Sequence, residues 1–296
     1  MSRNWNRAYR FVAGLSGTGF EIEGTPAAGR ALHIKFDLEK TDVSSNNTGT
    51  ISIWNLNDEH VSVLEQQDCM VELHAGYGST LPLIFCGNVT NPETELDGAD
   101  RKTTVDVVDG RIAIRDTIVA LSYQGVVPVI TILNDCIAQM GITCIYSQEA
   151  TKILTEMKMP NGYSYGGAAA NCLTQICDMC GFKWSIQNGV AQIHMPGETI
   201  SVQAYILNES TGLIRVPKRI AFAAESTSQK SATTATQYGY EVEYFLNGAI
   251  NVNDMIQLQS KAASGFFRVK NIRITGDNLE SDWTCTAQLL EVTATV

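Results

Sequence analysis

Three cysteines are the residues of this chain whose spacing most suggests chemistry. Cys172, Cys177 and Cys180 lie in the stretch ANCLTQICDMCGF with C-x4-C-x2-C spacing. Plant-type ferredoxins use this spacing to hold an iron–sulfur cluster. The pattern therefore raises the hypothesis of a thiol or iron–sulfur oxidoreductase.

A helical wheel argues against that hypothesis. At about 100° per residue, all three cysteines fall on the apolar face of a helix, beside Leu173 and Ile176. Cys172 and Cys180 would lie roughly 12 Å apart along the axis, which is too far to share one small cluster. Free cysteine behaves as a small buried hydrophobe. We therefore expect these cysteines to be packing residues of a core.

The histidines form no recognisable ligand pattern. None of them stands in an H-x-x-x-H or H-E-x-x-H arrangement, or beside a cysteine at zinc-ligand spacing. Two lie on the polar phase of predicted strands, where we expect solvent-facing or interface positions. The four histidines are His33, His60, His74 and His194, and the two on strands are His33 and His74.

Four carboxylates crowd one segment, but they match no EF-hand loop. We predict a solvated acidic turn that contains Glu93, Glu95, Asp97 and Asp100. The glycine-rich GLSGTG, Gly14 to Gly19, opens no helix and is predicted to be a flexible loop. The chain has no P-loop, no G-x-S-x-G and no G-x-G-x-x-G after a strand. We expect no catalytic, cofactor-binding or metal-binding residue, and a protein that is not an enzyme.

Composition narrows the function classes further. The chain has 296 residues, enough for about two domains, and 44% of them are hydrophobic, which supports a packed core. The net charge of −10 disfavours a nucleic-acid binder, because such proteins need clustered Lys and Arg. Only 18% of the residues are charged, and such a surface suits burial against partners.

The sequence also bears on the compartment. The start, MSRNWNRAYRF, has no apolar h-region. The longest uncharged run, Thr117 to Asn134, is interrupted by polar residues and Pro128, so we expect no membrane-spanning segment. In a cytosol-like compartment, the eight cysteines are expected to be free thiols.

Residues 1–115 alternate as β-strands do. In ALHIKFDLEK, Ile34, Phe36 and Leu38 share one face, and the charged residues share the other. A short helix is predicted after Asn57 or Asp58, either of which can cap it. One helix among six or more strands favours a closed or nearly closed antiparallel barrel.

Residues 116–197 have a different pattern. VPVITILNDCIAQMG is predicted to be a helix ending at Gly141 and to be followed by the strand ITCIY. The pattern recurs about forty positions later, with YGGAAANCLTQICDMCG ending at Gly181 before the strand FKWSI. The hairpin WSIQNGVAQI, with its turn at Asn188-Gly189, completes a small α+β domain of two helix–strand units.

Residues 198–296 return to β-structure, in ETISVQAYIL, YEVEYFLNGAI, MIQLQSK, GFFRVKNIRITGD and DWTCTAQLLEV. AAESTSQKSATTATQ, residues 223–237, is predicted to be a loop that a partner could order. The predicted fold class is α+β: two antiparallel tube-like β-barrel domains, 1–115 and 198–296, flank the α+β domain 116–197.

Two stretches resemble a known family. The first runs from Gly49 to Thr90 and is similar to the opening domain of phage tail hub proteins, the trimeric baseplate hubs of contractile tails and their relatives. In that family, a strand ending in Asn-Leu leads into a short helix, a strand ending in Ala-Gly-Tyr, and an aliphatic-aromatic strand. The matching residues here are Asn55-Leu56, Ala75-Gly76-Tyr77 and Ile84-Phe85, with Gly87 and Val89.

The second stretch resembles the closing domain of the same family. Its matches are Thr211-Gly212-Leu213-Ile214 with Pro217, then Leu246-Asn247, Gly276-Asp277 and Asp282-Trp283. The sequence departs from the family at Arg215, where a glycine is usual, and at Val252-Asn253, where a Pro-Gly turn is common.

The resemblance implies a structural virion protein, a baseplate hub at the distal end of a phage tail tube. It implies a homotrimer that contacts the tail tube or a tube-initiator protein, the central spike and the baseplate wedge proteins, with no cofactor. Three chains with two barrels each would place six barrels around a sixfold tube. DNA would pass an acidic channel without specific binding. The protein would be made in the host bacterial cytoplasm and carried in the virion.

Three alternatives stay open at the level of sequence. Another tail protein, a distal-tail or tube-initiator component, would have no need of the middle domain. An oxidoreductase using Cys172, Cys177 and Cys180 would be coloured or contain iron. A β-rich carbohydrate-binding module would need exposed aromatic residues, for which the sequence offers Trp5, Tyr163 and Tyr165.

Overall fold

The computed structural model describes residues 6–15, 17–24, 31–222, 237–280 and 282–292. Trp5 and residues 223–236 of the predicted loop lie outside the described residues, and Gln237 already begins a strand.

The first part of the chain is β-rich, as predicted, with two short helices. Its elements are β1 (Arg7–Leu15), β2 (Thr18–Gly24), β3 (Ile34–Thr41), β4 (Thr48–Trp54), α1 (Asp58–Leu64), β5 (Met70–Tyr77), β6 (Leu83–Asp97), β7 (Asp100–Val108) and α2 (Arg111–Arg115). In β3, buried and exposed residues alternate along the strand as expected. Asn57 caps α1, since its side chain accepts a hydrogen bond from the His60 N–H.

The middle part contains both predicted helix–strand units and additional elements. Its elements are β8 (Ile118–Tyr123), β9 (Val127–Pro128), α3 (Val129–Gln139), β10 (Thr143–Tyr146), α4 (Gln148–Glu156), β11 (Lys158–Met159), β12 (Tyr163–Ala168), α5 (Ala169–Cys180), β13 (Lys183–Gln187) and β14 (Val190–His194). The prediction of a helix from Tyr165 onward is wrong at its start, because residues 163–168 pair with β8 instead. Helix α4, capped by Ser147, was not predicted.

The last part is again β-structure. Its strands are β15 (Ala204–Leu207), β16 (Lys218–Phe222), β17 (Gln237–Phe245), β18 (Met255–Gln259), β19 (Ser264–Asp277) and β20 (Trp283–Glu291). Of ETISVQAYIL, only the last four residues form a strand, and that strand pairs in parallel with β18.

The first and last parts form one 13-stranded sheet, with the order β16-β17-β20-β19-β3-β4-β7-β6-β5-β1-β2 and with β15 and β18 beside β19. The link is the pairing of β19 with β3, in which Ile274 lies opposite Leu38. An unpaired strand edge is a template for pairing. Here the β3 edge of the first part pairs with the β19 edge of the last part. The described strands therefore form one mostly antiparallel sheet, as the α+β prediction requires, and no closed barrel.

The sheet nevertheless curls back on itself. The Trp283 indole N–H of β20 donates to the Gly76 carbonyl of β5 at 3.3 Å. Six strand steps separate β20 from β5 in the sheet order, and a flat sheet would hold them roughly 29 Å apart at 4.8 Å per step. The curled sheet encloses one hydrophobic core that draws residues from both parts, including Phe11, Phe36 and Tyr244.

The middle part has a hydrophobic core of its own. Helices α3 and α5 contact each other, and both contact strands of the two-stranded sheet β12–β8 and of the three-stranded sheet β10-β14-β13. Gly181 ends α5 with a φ of 81°, and Gly141 follows α3 with a φ of 71°, as the sequence predicted for helix ends. The domain boundaries at 115 and 197 stay predictions.

Candidate functional site

The structure places the three cysteines on α5, inside or at the rim of the middle core. Cys172 and Cys177 are buried, and Cys180 is half-buried at the last residue of the helix. Burial raises the pKa of the Cys177 thiol. Within the described ranges, no group of three or more His, Cys, Asp or Glu side chains is arranged to hold a metal ion. This geometry favours the packing interpretation.

The histidines occupy four unrelated positions. His33 Nε2 lies 2.9 Å from Asp277 Oδ1, and its ring stacks on Trp54 with centroids 3.9 Å apart. His60 stacks on Phe20, and His74 is partly buried beside β6. His194 is fully buried next to the middle core.

The tyrosines proposed for carbohydrate binding are packing residues. Tyr163 and Tyr165 are half-buried against the middle core. Their hydroxyls lie 3.6 Å from Cys172 Sγ and 3.1 Å from the Ala168 carbonyl, respectively. This partial burial favours a packing role over an exposed sugar-stacking role.

The large sheet has a polar face on the side away from its core. One row of paired residues crosses seven strands, and six of its seven members are polar: Asn91, Asp106, Thr50, Asp37, Thr275, Thr284 and Phe245. Neighbours in this row hydrogen-bond across strands, as Thr50 Oγ1 does to Asp106 Oδ1 at 3.0 Å. The Arg273 guanidinium of β19 also pairs with the Asp37 carboxylate of β3.

Carboxylates outnumber cations on this face. Its exposed or half-buried carboxylates include Asp37, Glu39, Glu93, Glu95, Asp106, Glu241 and Glu243, and its exposed or half-buried cations include Arg10, Lys35, Lys102, Lys218 and Arg273. The face is therefore polar and acidic, which agrees in sign with the charge of the whole chain.

The predicted acidic turn is instead a projecting hairpin arm. Strand β6 continues to Asp97, and only Gly98 and Ala99 separate it from β7. Alternating Thr and Glu residues sustain the pairing, with Thr94 opposite Thr103 and Glu95 opposite Lys102. Residues 90–100 are all exposed. Strand β5 pairs only with residues 83–88 of β6, so residues 91–97 have a free outer edge within the described part of the chain.

The described residues of the GLSGTG stretch lie mostly in paired strands rather than in the predicted flexible loop, and Ser16 lies outside the described residues. Gly14 of β1 pairs with Gly19 of β2. A Cβ on Gly14 would lie 2.6 Å from the Thr18 carbonyl oxygen, so the close approach of the two strands requires glycine.

A buried polar junction joins the middle part to the sheet. The Lys40 ammonium, fully buried, donates to the Ile84 carbonyl, Asn188 Oδ1 and Asn251 Oδ1 at 3.3, 3.2 and 2.8 Å. These acceptors belong to β6, to the β13–β14 turn and to the loop before β18. Burial lowers the pKa of Lys40 to about 8.

Asp109 is the carboxylate of this junction. It accepts hydrogen bonds from the Asn188 and Gly189 backbone N–H groups at 2.6 and 2.8 Å, and from Asn47 Nδ2 at 3.3 Å. Burial raises its pKa, while the two N–H donors and the charge of Lys40 act against the rise. The Asn188-Gly189 turn is thus one of the points at which the middle part is attached to the large sheet.

A second buried cluster lies at the other side of the same contact. Arg268 of β19 donates to Asp42 Oδ2 at 2.8 Å and to Asn253 Oδ1 at 2.7 Å. Asn253 in turn donates to Gln192 of β14 at 2.9 Å. Asn253 has a φ of 67°, so it supplies the left-handed conformation that a Pro-Gly turn would otherwise provide.

The sequence carries one signal for the junction that the strand pattern alone does not explain. Lys40 follows Ile34, Phe36 and Leu38 on the buried phase of β3. A lysine on an apolar phase is expected to be exposed or to have buried partners. Asp109 and Arg268 carry no comparable local signal.

No helix in the described residues is long and apolar enough to cross a membrane.

Comparison with solved structures finds phage tail proteins over nearly the whole chain. The 43 kDa tail protein of prophage MuSo2 from Shewanella oneidensis has a TM-score of 0.62 at 9% identity, covering 95% of this chain and 96% of that one. A tail protein from Neisseria meningitidis MC58 has a TM-score of 0.59 at 9% identity, covering 96% of each chain.

A third similar structure comes from a secretion system. The E. coli c3393 protein, a component of the type VI secretion system described as structurally similar to the T4 phage tail proteins gp27 and gp5, has a TM-score of 0.57 at 12% identity. It covers 88% of this chain and 74% of its own. No protein-family model and no curated protein sequence matches the chain.

These identities are low, so the similarity is one of fold. It extends through both β parts and the middle part in the same chain, which a match to one common module would not do. The chain therefore shares the fold of phage tail proteins, in agreement with the resemblance of its two sequence stretches.

Proposed function

We propose that the chain is a structural component of a phage tail and serves as the baseplate hub at the distal end of the tail tube. The observation that carries the proposal is the similarity in fold to the Shewanella tail protein over 95% of this chain and 96% of that one. The polar face of the sheet supports it, because a row of hydrogen-bonded polar residues across seven strands is suited to an extended contact surface.

The proposed assembly is a homotrimer closed through strand edges. The free outer edge of residues 91–97 carries Glu93, Glu95 and Asp97. At the opposite end of the sheet, β16 carries Lys218 and Arg219 and no carboxylate. Glu93 and Lys218 point to the same polar face. Pairing β16 of one copy with the arm of the next would cover both edges and match opposite charges.

Three copies in such a ring would contribute six β-rich parts, namely the first and the last part of each chain. That number suits a junction between a threefold hub and a sixfold tail tube. The polar face would line the channel, where the excess of carboxylates would repel the phosphates of passing DNA. The tube or tube-initiator protein, the central spike and the wedge proteins are the proposed partners, in a virion assembled in the host cytoplasm.

The hub is favoured over a distal-tail or tube-initiator protein because of the middle part. A protein that only forms part of a tube needs no additional domain with its own core, attached through buried polar contacts. A thiol or iron–sulfur oxidoreductase is disfavoured because Cys172 and Cys177 are buried and Cys180 ends the helix.

Solution mass is the first test. Sedimentation of the purified full chain, alone and with a candidate spike protein, is expected to give a trimer. A monomer under both conditions would contradict the proposal. A particle micrograph with this chain labelled is expected to place it at the tube's distal end.

Charge reversal tests the edges themselves. Glu93→Lys with Glu95→Lys, or Lys218→Glu with Arg219→Glu, is expected to weaken self-association, and the four changes together in one chain are expected to restore it. The Glu23→Lys variant, on the separate β2 edge, is the matched control. Equal trimer formation by every variant would exclude this edge pairing without excluding the tail role.

A further inference from the structure

Lys40 is a buried amine in contact with two side-chain amides. Its side chain is fully buried on β3. The Nζ atom lies 2.8 Å from Asn251 Oδ1, 3.2 Å from Asn188 Oδ1 and 3.3 Å from the Ile84 carbonyl oxygen. All three of these hydrogen-bond acceptors are amide oxygens, and none is a carboxylate. A primary amine held against an amide carbonyl away from water is a pair of groups that can react with each other.

We propose that Lys40 and Asn188 are the two ends of an isopeptide bond that the folded chain forms by itself. The bond joins Nζ of Lys40 to Cγ of Asn188, and so links β3 of the large sheet to the β13–β14 turn of the middle part. Such a reaction needs no added reagent, because the fold replaces a bimolecular encounter by permanent proximity.

The amine has to be neutral before it can attack. Desolvation by burial lowers the pKa of Lys40 to about 8, so the neutral form is accessible in mildly alkaline solution. The charges of Asp109 and Asp254 act in the opposite direction, but burial has the larger effect. A desolvated lysine with a lowered pKa is the form in which this side chain serves as a nucleophile.

The three acceptors select Asn188 as the amide that is attacked. An ammonium group offers three N–H donors to three oxygens, whereas a neutral amine offers two and carries one lone pair. Asn251 Oδ1 accepts at the shortest distance, and the Ile84 carbonyl belongs to the backbone of β6 and cannot turn away. The lone pair is therefore left for Asn188, whose terminal amide can rotate to present Cγ.

Asp109 positions the amide through the backbone of the turn. Its carboxylate accepts hydrogen bonds from the Asn188 and Gly189 N–H groups at 2.6 and 2.8 Å. These bonds also engage the Gly189 nitrogen, which is the group that closes a succinimide ring when an Asn-Gly pair deamidates. Asp109 is thus a positioning residue that favours attack by Lys40 over the competing reaction.

The reaction transfers one acyl carbon from one nitrogen to another. The Nζ lone pair forms a bond to Cγ of Asn188, and the carbonyl oxygen takes the electron pair of its double bond. A proton then passes from Nζ to Nδ2, the carbonyl forms again, and the Cγ–Nδ2 bond breaks to release ammonia. No atom is oxidised or reduced. Asn188 is half-buried, which leaves a route to solvent for a molecule as small as ammonia.

The hydrogen-bonded contact is the state before the bond forms. Proton exchange is fast and the attack of an amine on an amide is slow, so Lys40 titrates first and reacts afterwards. The bond is a property of the isolated chain, and it is therefore tested independently of the proposed role in a phage tail.

The test follows the intact mass of the folded full-length protein over several days at pH 7 and at pH 9. We expect a species lighter than the starting protein by one ammonia, and a branched peptide that joins Lys40 to Asn188 after digestion. The species should accumulate about tenfold faster at pH 9, since a pKa of about 8 raises the neutral fraction of the amine from roughly a tenth to roughly nine tenths.

Variants separate this bond from a succinimide, which also loses one ammonia. The branched peptide is expected to be absent from Lys40→Met and from Asn188→Ala. Asn161→Ala, at the exposed Asn161-Gly162 pair, is the matched control and is expected to form the branched peptide at the wild-type rate.

Wild type alone decides the outcome, whether or not the variants fold. The proposal is overturned if the folded protein yields no branched peptide after incubation at pH 9. It is equally overturned if the ammonia loss maps to a succinimide, or if the branched peptide joins Lys40 to Asn251.

Discussion

At the scale of residues, Lys40 and Asp109 show how a buried charge can position a whole segment. Each has hydrogen-bond partners from more than one part of the chain, and neither is accessible to water. Desolvation makes two opposite buried charges a poor source of net stability, but removing one of them leaves the other uncompensated. The pair is thus better understood as a device that fixes the position of the middle part.

Asp109→Ala is expected to lower the free energy of unfolding by about 3–5 kcal/mol, because two backbone N–H groups and the Asn47 amide lose their acceptor. The buried Lys40 charge also loses the opposite charge near it. Denaturant unfolding followed by tryptophan fluorescence measures the loss. Asp178→Ala, on the exposed side of α5, is the control and is expected to change stability by no more than about 0.5 kcal/mol. Equal losses in both variants would show that the junction has no special role.

The lowered pKa of Lys40 predicts a pH dependence. The folded protein releases this proton near pH 8, whereas an unfolded lysine keeps it until about 10.4. Between these values the unfolded state binds more protons, so stability rises with pH.

Lys40→Met removes that titration while keeping the length of the side chain. The difference in unfolding free energy between wild type and Lys40→Met is expected to shift toward wild type by up to about 3 kcal/mol from pH 8 to pH 10.4. Comparing the two proteins cancels the tyrosines and cysteines that titrate in the same range. A constant difference would mean that Lys40 titrates normally in the folded chain.

At the scale of elements, single residues in the left-handed region end helices and turn strands. A Cβ added to Gly181 would meet no other atom within 4 Å, so its φ of 81° alone requires glycine. Asn188 and Gly189 both have positive φ, 53° and 76°, as a type I′ hairpin turn demands. Their N–H groups then point to Asp109, so the local turn also serves the junction.

Gly181→Ala is expected to destabilise the protein by about 1 kcal/mol, through backbone strain rather than through a clash. Gly181→Asn should lower the stability of the protein by less than Gly181→Ala does, since Asn tolerates the left-handed region. Gly166→Ala is the matched control, because that position also has open space but no positive φ. Thermal unfolding compares the three variants, and a loss at Gly166 as large as at Gly181 would refute the backbone explanation.

Elements with a strong local pattern are predictable from the sequence, and those governed by a distant partner are not. The alternation of Ile34, Phe36 and Leu38 predicts β3, and Gly141 and Gly181 predict the ends of two helices. The arm at residues 91–97 resembles a turn in sequence because it is rich in turn residues, while its pairing with β7 depends on cross-strand contacts. The same limit applies to residues 163–168, which look helical until β8 is known.

The candidate site was likewise predictable from the sequence only in part. The polar phase of β3 and the acidic charge of the arm are legible in the sequence, and both reappear on the polar face. The row of residues from Asn91 to Thr284 could not be predicted from the sequence, since its members come from strands that are adjacent only in the folded sheet.

At the scale of the whole molecule, the two β parts share a sheet and a core, so they are expected to unfold together. Trp283 of β20 contacts β5 through its indole N–H and is almost fully buried. Its removal should therefore affect strands at both ends of the sheet.

Trp283→Ala is expected to lower the free energy of unfolding by about 3–5 kcal/mol. We expect the loss of amide protection to be similar in β5 and in β17. Hydrogen exchange with mass spectrometry measures both regions in one experiment. Leu133→Ala, in the separate middle core, is the comparison and is expected to act first on α3 and α5. A loss of protection confined to residues 237–292 would show two independent β units.

The pairing of β3 with β19 also has a consequence for synthesis. Leu38 leaves the ribosome long before Ile274, its partner across the sheet. At about 5–20 residues per second, translation needs on the order of 10–50 s to cover that distance. During this interval the β3 edge of the nascent chain has no partner, and neighbouring chains on one polysome carry the same edge. Correct folding thus requires that β19 is synthesised and pairs with β3 before the β3 edge pairs with a strand of another copy of the chain.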